Sequence, residues 1–85
     1  MKIVDMELDL HGFTVEEALP RLDDFVYNAF SSGFRTLCIN HGHGSGILRQ
    51  AVHRELKKKS LVKSFRSGDR FEGGKGVTIV ELALR

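Results

Sequence analysis

The sequence predicts an α/β protein, a two-layer sandwich of order β-α-β-α-β-β with a four-stranded mixed sheet and two helices on one face. Three observations carry that expectation. Val4, Met6, Leu8 and Leu10 alternate with Asp5, Glu7, Asp9 and His11, the period of a strand with one buried and one polar face. Residues 35–40 are short and partly β-branched, and a glycine-rich turn, His41-Gly42-His43-Gly44-Ser45-Gly46, separates them from apolar residues at helical spacing. Finally, Val77-Thr78-Ile79-Val80-Glu81-Leu82-Ala83-Leu84 is the clearest strand in the chain.

The elements follow in order. Gly12 and Phe13 turn the chain after the first strand, and Thr14 with Glu17 forms a capping box. Val15, Ala18, Leu19, Leu22, Val26, Ala29 and Phe30 make one helical stripe, which Gly33 stops. Pro20 conflicts with it, since a proline inside a helix removes a bond and costs about 3 kcal/mol. A kink near Pro20, or a helix that begins there, is expected. The second helix spans 46–59, marked by Ile47, Leu48, Ala51, Val52 and Leu56, with Ser45 as its N-cap. A short strand at 61–66 and a mobile hairpin loop at 67–76, rich in glycine, lead to the last strand. Each helical crossover makes its flanking strands parallel and right-handed, and the final pair is an antiparallel hairpin. The acidic face of the first strand places both helices on the other side of the sheet.

Eighty-five residues make a single domain, 1–85, with a modest core. Hydrophobic residues at 41% and charged residues at 28% suit an ordinary water-soluble fold. No apolar run approaches the roughly 20 residues that cross a bilayer, and no signal-peptide pattern opens the chain. These features exclude a membrane partner and point to a cytoplasmic setting. The lone cysteine, Cys38, allows no internal disulfide and reads as a buried, inert thiol. Charge is uneven: residues 1–46 carry three Lys/Arg against seven Asp/Glu, and residues 47–85 carry ten against four. The basic half suits a polyanion, although Lys57, Lys58 and Lys59 equally suit the negative end of their own helix.

With the first three strands parallel, His11, His41 and the 67–76 loop meet at the carboxyl edge of the sheet, where open α/β sheets bind ligands. A glycine turn before a helix presents backbone N–H groups and about half a positive charge, which suits a phosphate. Imidazoles beside it add proton chemistry. The turn is neither a Walker A loop nor a dinucleotide fingerprint, and a tight turn without a ligand satisfies the same glycines.

Leu8-Asp9-Leu10-His11-Gly12, then the 41–46 turn, then Glu72-Gly73-Gly74-Lys75-Gly76-Val77-Thr78-Ile79-Val80-Glu81-Leu82 resemble the small MutS-related (Smr) domain over nearly the whole chain. The ending is most like Smr domains at the C-terminus of MutS-like proteins that lack mismatch recognition. His11 stands where that branch often carries Arg, and Ser45 where the family usually has Thr. The resemblance implies a fold similar to the C-terminal domain of translation initiation factor three. It also implies an endonuclease that nicks DNA or cleaves messenger RNA with little sequence specificity. Asp9 and His11 match the family's Asp-Leu-His element, and His41, Gly42 and Gly44 its second motif. The implied partners are DNA or RNA, other domains of a longer chain, and the ribosome.

Cleaving a phosphodiester needs a phosphate cradle, a base for the nucleophile and an acid for the leaving oxygen. Gly42, Gly44, Ser45, Gly46 and Arg49 are the expected cradle, with Lys75 as a further phosphate contact. His11, oriented by Asp9, and His41 are the expected proton-transfer groups, and His43 and His53 the bystanders. Two alternatives stay open. Asp9, His11, His41 and His43 could together ligate a divalent metal, although no compact spacing supports it. The domain could also bind nucleic acid and leave the chemistry to another domain.

Overall fold

A computed structural model describes residues 4–84. Strands β1 (Met6–Asp9), β2 (Thr36–Asn40), β3 (Val62–Ser67) and β4 (Val77–Leu82) alternate with helices α1 (Val15–Ser31) and α2 (Ile47–Lys57), and a 3₁₀ turn, Gly74–Gly76, precedes β4. The expected architecture is present. The sheet order is β1-β2-β4-β3, with β1 parallel to β2 and β4 antiparallel to both its neighbours. Strand β3 therefore runs in the same sense as β1 and β2, and the ends of all three lie at one edge. No described helix is long and apolar enough to cross a membrane.

The capping box forms as expected: the Glu17 amide donates to Thr14 Oγ1 at 3.2 Å, and the Thr14 amide to Glu17 Oε1 at 2.9 Å. Helix α1 thus starts at Val15, and Pro20 lies inside it rather than at its beginning. Proline has no N–H for the Glu16 carbonyl. Next to that gap the Arg21 guanidinium donates to the Glu17 carbonyl at 2.7 Å.

Helix α2 departs from expectation at both ends. Its N-cap is Gly46, not Ser45, because the chain enters with φ of 91°, a left-handed value that disfavours any side chain. Ser45 sits one residue outside, its hydroxyl 3.4 Å from the Ile47 amide. The last turn ends at Lys57, with Arg54 and Lys57 beside its carbonyls. Lys59, past the end, pairs with Asp23 and Glu55.

One core lies between sheet and helices. Leu10, Leu22, Leu37, Ile39, Leu56 and Leu82 are fully buried there, each contributing about 1.5–3 kcal/mol. A smaller cluster, Cys38, Val77 and Ile79, lies on the opposite face, and Val4 packs against it. The alternation of the first strand is therefore incomplete. Leu8 packs against the main core and Leu10 lies within it, whereas Val4 joins the other face and Met6 is exposed. As the sheet's edge, β1 has a neighbouring strand on one side only. Burial raises the pKa of the Cys38 thiol, consistent with an inert core cysteine.

The 67–76 loop is more constructed than its glycines suggested. The Asp69 carbonyl accepts from the Gly74 and Glu72 amides at 2.7 and 3.0 Å. The Asp69 carboxylate accepts from the Phe71 and Glu72 amides at 2.8 and 3.0 Å. Arg66 closes a two-pronged pair on Glu72 at 2.7 and 2.9 Å.

The two helix starts make a direct comparison. Thr14→Ala should lower unfolding free energy by about 1 kcal/mol, whereas Ser45→Ala should change it little. Urea melts of both variants check this, and an equal loss in the two would contradict Gly46 as the cap.

Candidate functional site

The end of β1 and the loop entering α2 form the two walls of an open cleft. Gly42, with φ of 81°, lies so close to β1 that an added Cβ would sit 3.3 Å from His11 Cβ. The Gly42 amide is held at 3.0 Å by both Asn40 Oδ1 and the Gly76 carbonyl. The first two sequence motifs therefore touch. The cleft, of about 410 Å³, is lined by His11 to Val15 on one wall and His41 to Arg49 on the other. Gly42, Gly44, Ser45, Gly46 and Arg49 all line it. Lys75 joins the glycine loop and Arg49 around an adjoining groove of about 220 Å³.

The amides of residues 47–49 open α2 before the first helical bond, made by Gln50 to the Gly46 carbonyl at 2.9 Å. No acidic side chain lies in that first turn. Donors at a helix start, with no neighbouring carboxylate, favour an anion.

Asp9 and His11 form an exposed pair at the rim. Asp9 Oδ1 lies 2.5 Å from His11 Nδ1 and accepts the His11 amide at 3.0 Å. Those two bonds, the ring contact first, hold the Asp9 carboxyl below its usual range. A carboxylate can only accept, so Nδ1 carries a proton and Nε2 is the nitrogen left for exchange with a ligand.

His41 occupies a different setting from the one expected. It is only 5% exposed, and its amide donates to the Gly76 carbonyl at 3.0 Å. Its Nδ1 lies 3.3 Å from the Gly42 carbonyl and its Nε2 2.8 Å from Thr78 Oγ1. His53 Nε2 is 2.8 Å from the same hydroxyl. The Gly42 carbonyl can only accept, which puts the His41 proton on Nδ1. Thr78 then donates its one proton to His41 Nε2, and His53 Nε2–H donates to Thr78. The result is a chain from α2 through β4 to the glycine loop that engages both His41 nitrogens. Burial lowers the pKa of both imidazoles; the Arg49 charge adds to this in each, and the Gly42 contact partly opposes it in His41.

Sequence reasoning missed His53 and Thr78, because only tertiary packing brings an α2 residue and a β4 residue to one hydroxyl. It also passed over His43, which lines both cleft and groove and stacks so tightly on Gly76 that an added Cβ would sit 2.5 Å from its ring. The Arg21 guanidinium lies 4.3 Å above the ring of Phe13, a wall residue of the cleft. A shared metal site is not assembled: among the described residues no three His, Cys, Asp or Glu side chains are grouped to hold an ion.

The Smr domain model matches residues 8–83. The chain belongs to the Smr family. The Smr domain of Thermus thermophilus MutS2 superimposes with a TM-score of 0.89 at 44% identity, covering 92% of this chain and 98% of that one. YdaL, a stand-alone small MutS-related protein from Escherichia coli, gives 0.85 at 29% identity, covering 89% of this chain and 63% of that one. Among curated relatives, a protein of Caldicellulosiruptor saccharolyticus named endonuclease MutS2 is 48% identical over 95% of this chain. One of the same name from Geobacillus kaustophilus is 51% identical over 93%. This Smr chain spans about a tenth of the length of either relative.

The buried imidazoles make stability depend on pH. A histidine whose pKa is lowered by folding binds its proton more readily when unfolded, so protonation favours unfolding. The contribution is complete above the ordinary imidazole value of about 6.5 and is lost as pH falls through the lowered folded values. His53→Gln keeps an amide donor for Thr78 but does not titrate. Its thermal midpoint should therefore fall less than that of the wild type between pH 8 and pH 5. Parallel curves for the two proteins would refute the chain of bonds.

Proposed function

We propose that this Smr domain binds a nucleic-acid strand with a backbone phosphate at the start of α2, and that His11 transfers a proton during cleavage of the phosphodiester. The observation that supports it is that His11, its ring held by Asp9, lies on the wall facing the glycine loop and the start of α2. The amides of residues 48 and 49 and the Arg49 guanidinium stabilise the charge that builds on the phosphate oxygens as the new bond forms. His11 Nε2 takes the proton of the attacking water or, in RNA, the 2′-hydroxyl, or gives one to the leaving oxygen as its P–O bond breaks, while Asp9 holds the ring and stabilises its protonated form. His41 acts through position, tying the glycine loop to β4 by its amide and ring.

The binding-only reading has one observation in its favour. With His41 buried and fully bonded, His11 is the one expected proton-transfer imidazole with a ring nitrogen left for a ligand.

Substitution separates the two. His11→Ala should lower cleavage of single-stranded RNA or supercoiled plasmid by roughly 10²-fold or more, with nucleic-acid affinity and thermal midpoint little changed. His41→Ala should lower the midpoint and the activity together. Full activity in His11→Ala would remove His11 from the chemistry, and a purified wild type that binds and never cuts would establish binding alone.

Affinity should also fall steeply with salt, since contacts through Arg49 and Lys75 release counterions from the strand. Removing either charge should make the log–log salt slope shallower by about one. A slope unchanged in both variants would remove these residues from the interface.

A further inference from the structure

Phe71 is 78% exposed, the most exposed large apolar side chain among the described residues. A lone exposed apolar residue needs no explanation, but this one stands on a constructed support. Its amide is held by the Asp69 carboxylate at 2.8 Å, and the Arg66–Glu72 pair braces the loop beneath it. The Arg70 guanidinium lies 5.0 Å from the ring centroid, which backs the ring with a cation. The loop is tied to the cleft at its far end, where the Gly76 carbonyl accepts from the His41 and Gly42 amides. Four residues separate Phe71 from that anchor, five Cα-to-Cα steps of at most about 18 Å in all even if fully extended, a span that a few nucleotides can bridge.

We propose that Phe71 is a stacking platform for an unpaired nucleobase, with Arg70 supplying a neighbouring positive charge. This rests on the nucleic-acid reading above and adds the substrate class: a single strand, or the unpaired part of a structured one. Within a duplex every base except those of the terminal pairs is stacked on both faces, so the ring finds little to take. In a single strand the base offers a π-face, and an aromatic side chain can bind it whatever its identity. The deoxyribose and ribose forms share this chemistry, so the platform selects strandedness rather than sugar.

The chain has no tryptophan, so Phe71→Trp makes a single reporter at the site. On titration with a roughly 12-nucleotide DNA or RNA single strand, its emission should be quenched in step with binding measured by polarisation of the labelled strand. A blunt duplex of equal length should quench it little. Phe71→Ala should weaken single-strand binding about tenfold and duplex binding less than twofold, with an unchanged thermal midpoint, and Phe71→Trp should retain wild-type affinity. Wild-type single-strand affinity in Phe71→Ala, or unchanged emission on a strand that polarisation shows to be bound, overturns the platform and leaves the proposed function standing. Absence of binding to either nucleic acid by every form, wild type included, overturns both.

Discussion

The hydroxyl of Thr78 holds the site together. It lies on the helix-facing side of β4, between an imidazole from the glycine loop and another from α2, at 2.8 Å from each. Three elements that meet only in the folded chain are joined through one oxygen. Inside a protein such bonds are stronger than in water, and an unmade one is correspondingly costly. Here the accounting is complete, since no buried side-chain nitrogen or oxygen among the described residues lacks a partner. The glycine loop, which has little side chain of its own to pack, is held by this chain and by the Gly76 carbonyl.

That arrangement divides the two histidine motifs by role. The one after β1 is exposed, with its ring bound to a carboxylate and a nitrogen left over. The one after β2 is buried, with both ring nitrogens bonded and its pKa lowered by burial. Similar residues two and one positions beyond their strands thus end in opposite environments, because β2 is interior to the sheet and β1 is its edge. The interior strand delivers His41 beneath α2, whereas the edge strand delivers His11 to solvent. The proposed roles follow these environments, with proton transfer at the exposed ring and rigidity at the buried one.

Much of this was legible in the residues. Period-two alternation in the first strand, β-branched runs in the later ones and helical spacing placed all six elements, and the parallel crossovers brought His11, His41 and the 67–76 loop to one edge. The capping box at Thr14 and Glu17 was readable because it is local, three residues apart. What was not legible depends on backbone conformation or long-range packing. Ser45 is a good N-cap by residue type, but the left-handed entry at Gly46 shifts the helix by one residue. His53 looked like a bystander because its partner lies 25 residues away. The bracing of the 67–76 loop was not readable because it runs through side-chain bonds of Asp69, Glu72 and Arg66 rather than through apolar contacts.

The assignment of His11 to proton transfer and His41 to position stands on the protonation of the ring nitrogens, which nitrogen-15 NMR of labelled imidazoles reads directly. At pH 7 His41 should be neutral with its proton on Nδ1, and His53 neutral with its proton on Nε2. Addition of a single-stranded oligonucleotide should perturb the His11 resonances more than those of His41. A His41 ring that carries its proton on Nε2, or that titrates like an exposed imidazole and responds to the strand as strongly as His11, would contradict the account.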